Sequence, residues 1–251
     1  MNDFAHTIES VDRIHRAEAR RLAEDEFTRF AELAAVLTPR EWEVPTDCTA
    51  WDVRKMCLHV LGSADAQASV REFVHQMRRG LPLNKEIESH HWVDGLNELQ
   101  VREHDHLSNA ELVDQLKMVG PKAVKGRWGT PPPMRYLPVP FGPPVGWKPL
   151  KYLLDVGFTR DVWCHRIDIC AATNRPMNVT PEHDGRLVAD LVAEWAALHR
   201  QPFELVLEGP AGGTFSQGQG GERVLIDALE FVRTLAGRRP GSGVLSHPLP
   251  L

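Results

Sequence analysis

LKYLLDVGFTRDVWCHRIDICAAT, residues Leu150–Thr173, has the pattern of a single helix. Asp161 and His165 stand four positions apart in this stretch. Residues four apart lie on one face of a helix, so a carboxylate oxygen and an imidazole nitrogen can converge there on one cation. The stretch therefore predicts a helix that carries two of the ligands of a metal site.

A third ligand is available on a second predicted helix, which carries His59. Two histidines, one carboxylate and an open position form the ligand set of a catalytic zinc or a related divalent ion. Each residue also has an ordinary structural explanation. His59 is equally compatible with a hydrogen-bonded core histidine, and Asp161 with His165 is equally compatible with a surface pair on a helix.

The pattern around the pair favours the metal site. Asp161, His165 and Asp168 extend the apolar stripe formed by Leu150, Leu154 and Phe158. Polar side chains that continue an apolar stripe face inward, where an unpaired charge is very costly, and they answer that cost by pairing or by binding a metal. Asp168 then either orients His165 or forms a salt bridge with a nearby arginine.

Composition excludes several classes of function. The 251 residues can form one large domain or two small ones, and a net charge of -5 provides no broad basic surface for nucleic acid. No apolar run has the length of a membrane span, and the acidic, amphipathic start of the sequence differs from a signal peptide. Four cysteines do not make a disulfide scaffold in a chain of this length. We expect a cytoplasmic protein.

The apolar spacing predicts mostly helices in the first part of the chain. A Thr49-x-x-Asp52 capping box is expected to start the second helix, and Ser108 with Glu111 the fourth. The segment with eight prolines between Gly129 and Pro149 is either a domain linker or an ordered, packed loop; its aromatic and aliphatic residues favour the loop. The predicted helices before it are 4–37, 50–76 (stopped by residues 79–82), 91–105 and 109–119.

The pattern changes after about residue 175. A helix is predicted over 181–200, a strand over Phe203–Glu208, a hairpin over 209–221 and a further helix over 222–235. The fold class is therefore mainly α with a small α+β part. We expect two domains, 1–175 and 176–251, with the metal site in the first.

Three segments, in this order, resemble the mycothiol-dependent maleylpyruvate isomerase-like family, which belongs to the DinB-like four-helix-bundle superfamily. The first is Pro45-x-x-Cys48-Thr-Ala-Trp51-x-Val-Arg54 followed by His59-Val-Leu-Gly62. The second is Asp161-Val-Trp-Cys-His165-Arg-Ile-Asp168-Ile, and the third is FVRTLAGRRPGSGVL at residues 231–245. The resemblance carried by these three separated segments extends over nearly the whole chain.

The resemblance implies a DinB-like bundle followed by a small C-terminal α+β domain, with His59, Asp161 and His165 in the places of the metal ligands. It implies a divalent metal, zinc first, and mycothiol or a similar thiol as cosubstrate. The metal would lower the pKa of the thiol, and the thiolate would act on an electrophilic, acidic metabolite, either as isomerase or as S-transferase. Arg238 is the candidate cation for the substrate; a surface arginine at a helix end is the alternative.

Two positions depart from the family pattern. The family more often has glutamate at the position of Asp161, and an acidic residue at the position of Lys55. Two other functions remain open: a non-catalytic metal-binding or regulatory bundle, and a metal-dependent hydrolase whose nucleophile is water. Expected partners are small molecules, with neither nucleic acid nor membrane; the oligomeric state is open.

Overall fold

The computed structural model describes residues 5–89 and 91–249, with the side chains from Thr7 onward. The chain forms two compact units. The bundle unit comprises Arg20–Arg135 and Asp168–Arg175, and the sheet unit comprises Met1–Ala19, Tyr136–Ile167 and Pro176–Leu251. The architecture is a helical bundle with a small C-terminal α+β part, which confirms the predicted fold class. The division into domains at residue 175 stays a prediction.

The bundle unit is built around one apolar helix, α2. Its residues from Met56 to Ala64 are all buried, and α2 packs against α3, α4 and α5. A helix that is apolar on most of its faces belongs at the centre of a bundle. The helices are α1 (Arg16–Ala35), α2 (Val53–Ala68), α3 (Val70–Glu86), α4 (Asp94–His104) and α5 (Asn109–Gly129).

Helix ends in this unit differ from the predicted ones because other side chains cap them. Asp52, and not Thr49, accepts the N–H of Lys55 and caps α2. Ser69 caps α3 by accepting the N–H of Glu72, so the predicted single helix 50–76 is two helices. The proline at 82 does not stop α3, which continues to Glu86.

The start of α5 is as predicted. The Ser108 hydroxyl accepts the N–H of Glu111, and the Glu111 carboxylate accepts the N–H of Ser108, which is a complete capping box. The helix continues ten residues past the predicted end at 119, through Pro121 to Gly129. The α4 helix, Asp94–His104, lies within the predicted range of 91–105.

The sheet unit contains a four-stranded sheet in the order β1-β5-β4-β6. The strands β4 and β5 are antiparallel neighbours, while β1 pairs with β5 and β6 pairs with β4 in parallel. Phe203, Leu205 and Leu207 of β4 alternate onto the buried face, where Trp195 of α8 contacts Phe203 and Phe231 of α9. The elements are β1 (Ala5–Thr7), α8 (Arg186–His199), β4 (Phe203–Glu208), β5 (Gly213–Gln217), β6 (Glu222–Asp227) and α9 (Ala228–Leu235).

Two segments that were predicted as helix each begin with a strand in the structure. The helix predicted over 4–37 begins only at Arg16, since Ala5–Thr7 is strand β1; its first predicted residue, Phe4, lies outside the described residues. The helix predicted over 222–235 begins only at Ala228, because Glu222–Asp227 pairs with β4. The predicted strand β4 and the strand of the hairpin around Phe215 are confirmed.

The proline-rich segment is an ordered loop. Pro138–Pro140 (β2) and Trp147–Pro149 (β3) form a two-stranded antiparallel ribbon, and Val145 between them is buried. The chain then enters a short helix, α6 (Leu150–Tyr152), continues through one turn of π-helix (Leu153–Gly157) and becomes α7 (Phe158–Thr173). The predicted helix 150–173 is therefore continuous, with a π-helical turn near its start. Within residues 5–89 and 91–249, every helix is too short or too polar to cross a bilayer.

Candidate metal centre

Two predicted ligands form a couple on α7. His165 Nε2 lies 3.4 Å from Asp161 Oδ1, as expected for residues four apart on a helix. The His165 side chain is buried, with 7% of its surface exposed, whereas 29% of the Asp161 side chain is exposed. The couple thus combines a shielded imidazole with a carboxylate that solvent can reach. This is the arrangement that an ion with an open coordination position needs.

The other faces of α7 are fixed by contacts inside the sheet unit. Asp184 accepts hydrogen bonds from Trp163 Nε1 at 3.0 Å and from Arg166 at 2.7 Å. Arg166 and Asp184 are both buried, and a buried hydrogen bond between charged groups holds its partners in one geometry. The orientation of α7 about its axis, and with it the direction of the Asp161–His165 couple, is set by these contacts.

Arg160, the residue before Asp161, anchors the same helix to α8. Its guanidinium donates to Asp190 at 2.6 Å and to Glu194 at 2.7 Å, and all three side chains are buried. Burial alone would lower the pKa of Arg160, but the charges of Asp190 and Glu194 outweigh it and raise that pKa. Burial alone would likewise raise the pKa of Asp190, and the charges of Arg160 and Arg13 lower it. Arg160 and Asp190 are therefore both charged at neutral pH.

The third predicted ligand, His59, belongs to the bundle unit. It is the polar residue in the buried stretch Cys57–Leu61 of α2, and only 4% of its surface is exposed. Its ring lies 4.8 Å from the ring of Trp51, and its Nδ1 lies 2.8 Å from Oε1 of Gln100 on α4. One ring nitrogen is thus committed to a protein partner. A hydrogen-bonded second nitrogen is typical of metal-ligating histidines.

Two glutamines next to His59 were not predicted as site residues. Gln100 Nε2 donates to Gln76 Oε1 at 2.8 Å, and Gln76 Nε2 donates to the carbonyl of Gly62 at 2.8 Å and to Glu72 at 3.0 Å. Both glutamines are buried. The sequence gives little indication of their role, because the two amides meet only when the helices α2, α3 and α4 pack together.

Asp168 and Arg238 have partners that the sequence did not predict. The thiol of Cys48 donates to Asp168 Oδ2 over 3.6 Å within the bundle unit. The guanidinium of Arg238 donates to the Ala236 carbonyl at 2.8 Å, just after the end of α9. That contact agrees with the alternative of a helix-end arginine. The role of Arg238 toward a substrate and that of Asp168 toward His165 stay predictions.

A second group with metal-ligand chemistry lies on the bundle surface. Glu72, His75 and Glu103 stand close together, and His75 Nε2 lies 2.8 Å from Glu103 Oε1. Exposed ion pairs of this kind are common and contribute little to stability. We assign no function to this group.

Comparison with known proteins identifies what the chain is similar to. Residues 23–170 match the family model described as the mycothiol maleylpyruvate isomerase N-terminal domain. Two solved structures match with a TM-score of 0.56 at 16% sequence identity, over 93% of this chain and 92% of theirs. They are crystal structures of the mycothiol-dependent maleylpyruvate isomerase, one of them of a mutant. At this identity they support the fold. The curated proteins include no significant match.

Proposed function

Because this chain belongs to the family of the mycothiol maleylpyruvate isomerase N-terminal domain, we propose that it is a metal-dependent enzyme with mycothiol or a similar thiol as cosubstrate. Its activity is isomerisation or S-transfer on a small, acidic, electrophilic metabolite. The observation that carries the proposal is the Asp161–His165 couple on α7, with its buried imidazole and its solvent-reachable carboxylate.

The donor set fits a divalent cation. In the proposed site, His59 of the bundle unit joins Asp161 and His165 of the sheet unit as the metal ligands. Two imidazoles and one carboxylate are the ligands of many catalytic zinc sites. His59 contributes an imidazole whose other nitrogen is already bonded to Gln100, as a ligand histidine requires. These residues would hold the ion, and zinc is the first candidate.

A divalent ion held there would lower the pKa of a bound thiol, so that thiolate exists near neutral pH. The protein's own cysteines are poor substitutes, since Cys57, Cys164 and Cys170 are buried and the thiol of Cys48 is hydrogen-bonded to Asp168. Burial raises the pKa of the Cys57 thiol above its ordinary value. A small-molecule thiol is therefore the nucleophile that we propose.

In the isomerase reaction, the thiolate sulfur forms a bond to one carbon of a double bond conjugated to a carbonyl. The π electrons of that double bond shift into the adjacent bond to the carbonyl carbon, and the carbonyl oxygen takes the negative charge. The former double bond is now a single bond, and rotation occurs about it. The reverse electron movement re-forms the double bond, breaks the C–S bond and releases the thiolate unchanged. No proton or electron is left over, so the thiol is a true catalyst of the isomerisation. In an S-transfer, the same thiolate displaces a leaving group.

Metal content and thiol dependence test the proposal together. Wild type purified with zinc is expected to hold about one ion per chain, and His59→Ala and His165→Ala to lose most of it. His106→Ala removes an exposed histidine and is the matched control, which should keep the ion. Wild type should isomerise maleylpyruvate only when mycothiol is added.

Other outcomes identify the competing functions. A protein without bound metal, or with metal but no response to mycothiol, would be a non-catalytic bundle. Metal-dependent hydrolysis without added thiol would indicate a hydrolase whose nucleophile is water. Either result contradicts the proposal.

Arg238 is the proposed cation for the acidic group of the substrate. If it binds that group, Arg238→Ala should raise KM by about tenfold, the equivalent of about 1.4 kcal/mol, with a smaller change in kcat. Arg239→Ala is the matched control, since it removes the neighbouring, exposed arginine. Equal effects of the two substitutions would mean that Arg238 does not bind the substrate and has only a structural contact with the Ala236 carbonyl.

A further inference from the structure

The buried amide of Gln76 has one permitted orientation. Its Nε2 faces the carbonyl of Gly62 at 2.8 Å and Oε1 of Glu72 at 3.0 Å. A backbone carbonyl and a carboxylate both accept hydrogen bonds, so the group facing them must be the NH₂ end of the amide. A flipped Gln76 would set its oxygen against two other oxygens. The Oε1 of Gln76 therefore points away from Gly62.

The orientation of Gln76 determines that of Gln100. The Oε1 of Gln76 is an acceptor, and the Gln100 atom that lies 2.8 Å from it must be the donor Nε2. The Oε1 of Gln100 is then the atom 2.8 Å from Nδ1 of His59. An amide oxygen can only accept, so the hydrogen of this bond belongs to the histidine.

From this chain of contacts we propose that Gln76 and Gln100 are positioning residues that hold His59 as the tautomer with its proton on Nδ1. In the neutral imidazole, the lone pair then belongs to Nε2. The tautomer follows from the protein contacts alone. Its use rests on the proposed function, because Nε2 is the atom that would coordinate the metal.

The hydrogen bonds that run from Gly62 through Gln76 and Gln100 to His59 form a relay, and the surrounding residues keep it in place. His59, Gln76 and Gln100 are all buried, so water does not compete for their hydrogen bonds. Gly62 makes room for Gln100, since a Cβ at position 62 would lie 2.6 Å from the Cβ of Gln100. That distance is far shorter than a normal contact. Three helices, α2, α3 and α4, therefore contribute to the state of one ring nitrogen.

A neutral relay suits a ligand histidine. Metal-bound histidines commonly donate their second N–H to a carboxylate or a carbonyl, which fixes the ring and the tautomer. Here the acceptor is an amide, and the carboxylate of Glu72 is separated from His59 by two amides. The relay orients the imidazole without adding a negative charge next to it.

Nitrogen NMR of the metal-free protein tests the tautomer directly. Long-range ¹H–¹⁵N spectra of ¹⁵N-histidine-labelled protein, recorded at about pH 8.5 where an ordinary histidine is neutral, distinguish a protonated from an unprotonated ring nitrogen. The His59 signals are those lost in His59→Asn. We expect a protonated Nδ1 and an unprotonated Nε2. Protonation of Nε2, or equal signals from both nitrogens, would overturn the inference without any reference to metal.

Substitution of the glutamines tests their role. Gln76→Met frees the Gln100 amide to flip, and Gln100→Met removes the acceptor, so both should shift His59 toward a mixture of tautomers. The double variant Gln76→Met/Gln100→Glu should return the proton to Nδ1, because a carboxylate accepts in every orientation. Gln219→Met, at an exposed glutamine between β5 and β6, is the control that should change nothing. An unchanged tautomer in Gln76→Met and Gln100→Met would contradict the positioning role.

Zinc affinity, measured by competition with a chromophoric chelator, links the tautomer to the metal. Loss of an outer-shell partner of this kind lowers affinity by about 10–100-fold, and we expect that range for Gln100→Met. Wild type that shows the expected tautomer but binds no zinc would contradict the proposed function while supporting the tautomer assignment.

Discussion

Asp161 places its carboxylate one methylene closer to the helix than a glutamate would at this position. The shorter side chain still reaches His165, since the two contact each other at 3.4 Å. The donor type, an anionic oxygen, is unchanged. What changes is how far the oxygen extends from α7. At the residue scale, charge should therefore matter more than length for metal binding.

Substitution of Asp161 separates these two properties. Asp161→Asn keeps the size and removes the charge, so we expect zinc affinity to fall by about tenfold or more, in line with the cost of changing a ligand's environment. Asp161→Glu keeps the charge and should stay within a few-fold of wild type. Chelator competition measures both, with the exposed Asp114→Asn as control. A tight-binding Asp161→Asn would remove Asp161 from the proposed ligand set.

The sequence allowed part of the candidate site to be predicted. The spacing of Asp161 and His165 was visible because a helix relates residues four apart in any fold. The role of Gln76 and Gln100 could not be predicted, since a glutamine that will be buried looks the same in the sequence as one that will be exposed. Their meaning depends on which helices meet, and local sequence does not contain that information.

The helix elements follow local rules except where a distant partner intervenes. The capping box at Ser108 and Glu111 was predictable because all of its hydrogen bonds are local. The strand β6 was not, because Glu222–Asp227 becomes a strand by pairing with β4. A helical pattern in a short segment is a weak preference that such pairing can override. The same reason explains why β1 was predicted as helix.

Gly126 of α5 is one of the glycines on which helix packing in the bundle depends. A Cβ at this position would overlap with the backbone oxygen of Gln67, at the end of α2. Gly126→Ala must push the two helices apart, and overpacking of this kind costs about 1–3 kcal/mol. Urea unfolding monitored by circular dichroism measures the loss.

Gly129→Ala is the matched control for this prediction. It lies on the same helix, and a Cβ there meets nothing within 4 Å. Alanine is the better helix former, so this variant should be neutral or more stable than wild type by up to about 1 kcal/mol. Equal destabilisation by both alanines would mean that the contact with Gln67 does not explain the effect at Gly126.

At the scale of the whole molecule, a cluster of two buried carboxylates, one buried arginine and the half-exposed Arg13 connects distant parts of the sheet unit. Arg13, from the segment before α1, contacts Asp190 at 2.8 Å, and Arg160 of α7 contacts Asp190 and Glu194 of α8. Three separate segments of the chain thus share one cluster of charges. Removing one member of a buried ion pair leaves its partner uncompensated, which costs about 3–5 kcal/mol.

Because of this cluster, the free energy of unfolding should depend on pH in the acidic range. The folded protein holds the pKa of Asp190 and of Glu194 below the ordinary values, against the effect of burial, through the charges of Arg160 and Arg13. A carboxyl whose pKa is lower in the folded state stabilises it above the unfolded-state pKa. That stabilisation is lost as the pH falls through the folded-state value. The free energy of unfolding should therefore decrease below about pH 4.

Asp190→Asn tests the origin of that dependence. We expect it to lower the free energy of unfolding at pH 7 by about 3–5 kcal/mol and to flatten the decrease toward acid. Glu194→Gln provides the same test if Asp190→Asn does not fold. The exposed Glu24→Gln, which breaks a surface pair with Arg20, should change stability by less than about 1 kcal/mol. An acid dependence as steep as that of wild type in both cluster variants would place its source elsewhere.

The pairing of β1 with β5 has a consequence for biosynthesis. Ala5 lies opposite Thr214 and Thr7 opposite Ser216, so a ribosome must translate the whole stretch between the two strands before their hydrogen bonds can form. The bundle helices α1 to α5 all lie in the intervening sequence and become available earlier. A nascent chain arrested before residue 213 would therefore lack the partner strand of β1, and this sheet can be completed only after the bundle helices have been synthesised.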